Sequence, residues 1–237
     1  MSAIILACSS LKDYVEEAQR KVSSNFPVIY LNRVYHRDPV EMQEHILTAL
    51  QKLPETTDTV LVAMGYCGGS WEGVESPCRL VIPKIDDCVS LLLQMGDSPI
   101  SNLKKAGHLY VREKDPSREC FHEIFERLTK NLDAETKERY HNDWKQLYSG
   151  IDIMDTGLND CRRPEYREEV QKDADWLEAE LSYVLGGTHL LKKLFAGKWD
   201  EQFLVLQKGE KLEKALVLDD IGVAEEVDAA IRAAEKI

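Results

Sequence analysis

Residues 59–73 read TVLVAMGYCGGSWEG. The opening six are apolar or β-branched without a break. That is the pattern of a strand buried on both faces of a parallel sheet, since a half-exposed strand would alternate with polar residues. The run stops at Gly65, and Cys67, Gly68, Gly69, Ser70, Trp71 and Gly73 follow. A turn is satisfied by one or two glycines; this stretch has four, with a thiol among them. Bare backbone admits the close approach of a ligand. Gly65, Gly68, Gly69 and Ser70 therefore read as cofactor contacts around Cys67.

The same rhythm extends in both directions. Upstream, 3–7 and 27–31 read as strands, each followed by a helix. Ser9 and Ser10 are candidate caps of the first helix. Asp38 and Pro39 open the second, whose Val40, Ile46, Leu47 and Leu50 are expected to share a face. Downstream come a strand at 79–82 and a helix from Asp86 or Asp87 to Met95. The second half repeats the alternation, with strands at 108–111, 151–154, 183–185 and 203–206. Helices are expected at 116–130, 135–147, 164–180 and 188–195. Strands alternating with helices of this length predict an α/β fold of parallel sheets with helices on both faces. The predicted organisation is two Rossmann-like lobes, 1–105 and 106–210, and an acidic, alanine-rich helical tail, 211–237, suited to packing on the core or on a second copy of the chain.

The chain has 237 residues, 43% of them hydrophobic, enough for a normal core. Acidic residues outnumber basic ones 42 to 30, for a net charge of −12. That balance disfavours a nucleic-acid partner, whose phosphates call for a basic surface, and none is expected. The longest apolar runs fall far short of a membrane span. The opening MSAIILACSS has no basic region, so no signal peptide is expected and the location reads as cytoplasmic.

Six cysteines stand at 8, 67, 78, 88, 120 and 161, with no CxxC pair. In a reducing compartment such thiols are buried fillers, metal ligands or nucleophiles. Three share one placement: Cys8 ends the first strand, Cys67 lies just past the third, and Cys88 opens a helix. Ligands of parallel α/β sheets bind outside the carboxyl ends of the strands, so Cys8, Cys67 and Cys88 form a candidate metal site. Three thiolates with an open fourth position suit catalytic zinc or a [4Fe–4S] cluster with one accessible iron. The second glycine-rich turn, Gly186-Gly187-Thr188-His189, could hold an anion or supply His189 as a fourth ligand. His36, after the second strand, points to the same edge. Asp87 reads as a helix cap or as a group that touches the cofactor. Taken singly, each cysteine is also consistent with a buried thiol, and Cys120, beside Phe121, reads as core. HExxH, GxSxG and the Gly-Lys-Ser/Thr ending of a P-loop are all absent, so peptidase, α/β-hydrolase and nucleotide readings find no support.

The segments ACSSL (7–11), HRDPVEM (36–42), GYCGGSWEGV (65–74), IPKIDDCVSLLL (82–93), IMDTG (153–157) and FAGKWDEQFLVLQKGE (195–210) carry a resemblance. In this order the chain resembles an uncharacterised prokaryotic family, domain of unknown function number 1638. The stretch 107–114 departs from the glycine- and tryptophan-containing segment of that family. The resemblance implies a shared cysteine site and a context in one-carbon metabolism, beside corrinoid-dependent methyl transfer. It supplies no reaction. Two further functions stand beside a metal site. One is a non-catalytic accessory module holding a corrinoid for a corrinoid-pathway protein. The other is a cleft that binds a small anionic metabolite through the two glycine-rich turns, with structural cysteines.

Overall fold

The computed structural model describes residues 2–112 and 120–213. Its first sheet is built on β1 (Ala3–Cys8) and β3 (Thr59–Ala63), both buried at every residue. β2 (Val28–Leu31) and β4 (Arg79–Pro83) flank them, and β8 (Phe203–Leu206) closes one edge, giving the order β2-β1-β3-β4-β8. The first four strands are parallel and β8 is antiparallel to β4. The chain leaves β1 for β2 on one side and returns to β3 on the other. That reversal opens a crevice at the carboxyl ends of β1 and β3, the place where open α/β sheets bind ligands.

Both faces of this sheet are covered. α2 (Pro39–Gln51) lays Met42, Ile46 and Leu50 against Leu6, Val60, Val62, Leu80 and Ile82. α1 (Lys12–Val22) and α7 (His189–Phe195) pack on each other, α1 against β1 and α7 against β3 and β4. The inward stripe of α2 runs i, i+4, i+8 through Met42. Val40 and Leu47, expected on that stripe, lie off it, with Val40 66% exposed. The short α3 (Cys88–Leu93) follows β4.

The second sheet has the order β5-β6-β7, all parallel, from β5 (His108–Val111), β6 (Gly150–Asp155) and β7 (Glu180–Leu185). Odd-numbered residues Leu109, Val111, Ile151, Ile153, Leu181 and Tyr183 join one apolar cluster. Residues of α4 (Phe121–Thr129), α5 (Ala134–Leu147) and α6 (Pro164–Leu177) complete it. On the opposite face the buried Asp152 carboxylate accepts from the Ser182 hydroxyl and pairs with His108 Nδ1 at 2.9 Å. Gly150 makes room for that ring, since a Cβ there would lie 2.5 Å from His108. Helix α6 ends sooner than the expected 180, because Glu178 takes a left-handed φ of 56° and starts the turn into β7.

The chain divides into two compact units at Leu103/Lys104 and again at Gly187/Thr188. Each sheet belongs to one unit. β8, which falls within the expected 106–210 lobe, pairs with β4 of the first sheet. Residues beyond it run back along the 73–76 segment, with Leu212 buried and a bridge between Glu75 and Lys211. The expected tail, 211–237, lies outside the described residues from 214 onward. Among the described residues, no helix is long and apolar enough to cross a membrane.

Candidate metal centre

The site starts at the last residue of β1. Cys8 is fully buried and held in extended backbone by its pairing with Leu31 of β2. The neighbouring Ser9 Oγ accepts the Arg33 N–H at 3.0 Å, which ties the end of β1 to the turn after β2. That turn is a 3-10 helix, Arg33–Arg37, capped by Asn32 Oδ1 on Val34 N. It places His36 Nε2 3.1 Å from Cys8 Sγ, and Ser10 Oγ lies at the same distance from that sulfur. Cys88 arrives from the other side as the first residue of α3. Asp87 caps this helix, accepting Ser90 N–H at 2.7 Å. The atoms Cys8 Sγ, His36 Nε2 and Cys88 Sγ all lie within 4.8 Å of one another.

That spacing suits a single ion. Ligands about 2.3 Å from a tetrahedral metal stand roughly 3.8 Å from each other. Two thiols and one imidazole form a set for zinc, copper(I) or iron rather than for magnesium or calcium. Burial grades outward from Cys8, fully buried, through Cys88, partly buried, to His36, which is exposed.

The glycine-rich loop contributes differently from the expectation. A Cβ on Gly65 would lie 2.5 Å from the Asp87 Cα, so this glycine admits the protein's own backbone. The contact is stitched by Tyr66 N–H to Ile85 O at 2.9 Å and Cys67 N–H to Asp86 O at 2.7 Å. The Gly65 amide also favours the thiolate form of Cys88. Ser70 is buried and donates to Tyr66 O at 3.1 Å, holding the turn. Gly68 and Gly69 have φ of 70° and 98°, and Cys67, between them and Tyr66, adopts φ 50°. Its thiol neighbours Cys88 and shifts its titration, yet it is outside the group that lies within 4.8 Å.

Their surroundings push the Cys8 and Cys88 thiols towards the protonated form. The hydrogen bond with Cys88, then burial, raises Cys8 from 9.0 to about 12, against the opposing pull of His36 and Ser10. Cys88 is raised well above its ordinary value, first by its bond with Cys67. A metal cation reverses that balance, because it binds the thiolate and displaces the proton.

The family model described as "Protein of unknown function (DUF1638)" matches residues 30–195. The chain belongs to this family. No curated protein and no solved structure matches the chain. The matched span of this DUF1638 chain contains His36, Cys67 and Cys88, while Cys8 precedes it.

Other expected site residues lie elsewhere in this DUF1638 protein. His189 opens α7 and pairs through Nε2 with Asp97 Oδ1 at 3.0 Å. Gly186 and Gly187 are buried in the other unit, where Gly186 N–H bonds Asp155 O at 3.0 Å. Asp87 serves as a cap. His36, expected as a cofactor contact, is the third member of the compact group, and Ser10 is an unforeseen neighbour of Cys8. Cys120, expected as core, is the partly buried residue that precedes α4 in extended backbone. No disulfide forms among the six cysteines.

Proposed function

We propose that the protein binds one metal ion, zinc in the first place, through Cys8, Cys88 and His36, leaving a fourth position for a small molecule. The observation that carries this reading is the convergence of three ligand atoms, from three separate strand connections, within 4.8 Å. A closed structural site would need a fourth protein ligand, whereas three with an open position is the catalytic pattern. The tight spacing favours one ion over a cubane, whose ligands bind separate irons. Bound zinc would act as a Lewis acid that keeps an incoming thiol ionised, the form that accepts a methyl group. The corrinoid partner rests on the family resemblance alone.

Zinc titration of the reduced, metal-free chain tests the reading. The expected result is one zinc per chain with release of thiol protons, so that affinity rises with pH. Cys8→Ser, Cys88→Ser and His36→Ala each lose tight binding, while Cys67→Ser retains it. A chain that takes up no metal would favour an accessory module with structural cysteines.

A further inference from the structure

Three thiols meet at Cys88, and two of them compete for it. Cys8 is anchored in the central strand with no exposure. Cys67 sits on a loop of left-handed residues, is partly exposed, and lies outside the compact ligand group. Its backbone runs beside the segment that leads into Cys88, with Cys67 N–H on Asp86 O at 2.7 Å and Gly65 packed on Asp87. A disulfide needs backbones that run close together, and the segments that carry these two cysteines do, at Cys67–Asp86 and Gly65–Asp87. Of the two neighbours of Cys88, Cys67 is also the one an oxidant can reach.

The geometry points to Cys67 as a redox partner of Cys88, forming a disulfide that takes Cys88 away from the metal. This inference rests on the metal-binding reading above. The oxidant is a hydroperoxide. The Cys67 thiolate attacks the distal peroxide oxygen, the O–O bond breaks, and the alcohol or water leaves with a proton, giving Cys67 sulfenic acid. The Cys88 sulfur then displaces water from that acid and closes the S–S bond. In sum two thiols lose two protons and two electrons, and one peroxide becomes an alcohol (or water) and one water. Cys8 and His36 are left as a two-ligand remnant that cannot hold the ion. Reduction by a thiol restores the site.

The test treats zinc-loaded and metal-free protein with hydrogen peroxide, follows zinc with a chromophoric chelator, and maps disulfides by peptide mass spectrometry. One zinc released per Cys67–Cys88 disulfide, with return of binding after thiol reduction, is the expected result. Cys67→Ser and Cys67→Ala bind zinc at the start and lose this release at the same peroxide dose. A Cys8–Cys88 linkage as the main product, or release from both Cys67 variants at the unmodified rate, overturns the inference. Failure of the unmodified chain to load zinc overturns the metal reading instead. Cross-link mapping on the metal-free chain then decides the pairing independently.

Discussion

Gly65 sets the site by what it lacks. The Asp87 backbone occupies the space of its missing Cβ, and through that contact the 65–67 and 85–88 segments run side by side. Gly65→Ala must push these segments apart, at a cost of about 1–3 kcal/mol of the kind seen on overpacking. It should also weaken zinc binding, because Cys88 moves with Asp87. Gly73 is the control. It has φ 70° but nothing within 4 Å of an added Cβ. Gly73→Ala should therefore show only the left-handed strain of roughly 1–2 kcal/mol, with zinc affinity retained. Urea unfolding and zinc titration of the two variants separate the cases; equal zinc affinity in both would remove Gly65 from the site.

At the scale of elements, α3 shows how a short helix can aim a thiol. Its cap, Asp87, fixes the first turn through Ser90 N–H at 2.7 Å, and Cys88 is the first residue inside. Asp87→Ala is expected to cost about 1 kcal/mol of stability and to reduce zinc affinity without abolishing it. Thermal melting and zinc titration check both halves, and complete loss of zinc would mean that Asp87 itself ligates. The strands were readable in the sequence because β1, β3 from Val60 and β4 from Leu80 are continuous apolar runs, and β5 and β8 fall where the apolar pattern places them. Boundaries slipped where one backbone angle decides, as at Glu178. The meeting of Cys8 and Cys88 was readable from their placement, one at a strand end and the other at a helix start. His36 was readable as a residue of the same edge, but its approach to Cys8 at 3.1 Å was not, because it depends on a 3-10 turn held by Asn32 and Ser9, which leaves no periodic signal. The position of Cys67 outside the compact group was equally hidden, since its left-handed φ is a property of the folded loop.

For the whole molecule, every residue of the compact group and its flanking thiol belongs to the unit that ends at Leu103 and resumes at Thr188. The second unit has its own sheet and apolar cluster. Replacing 104–187 by a flexible glycine-serine linker should therefore leave a folded chain that binds one zinc with near-native affinity. Circular dichroism and zinc titration of the shortened chain test this. Loss of zinc from a folded product would show that the second unit contributes to the site.

The pairing of β8 with β4 has a consequence for the order of events during synthesis. On the ribosome β1 to β4 emerge early, but the strand that covers the free edge of β4 comes only after the whole intervening unit has been made. Until then β4 presents unpaired backbone groups, the kind of edge on which nascent chains join one another. The second unit, contiguous in the chain, can complete its own sheet during that interval. The sheet that carries the candidate site is thus begun first and closed last, and the risk of misassembly is concentrated in the time between.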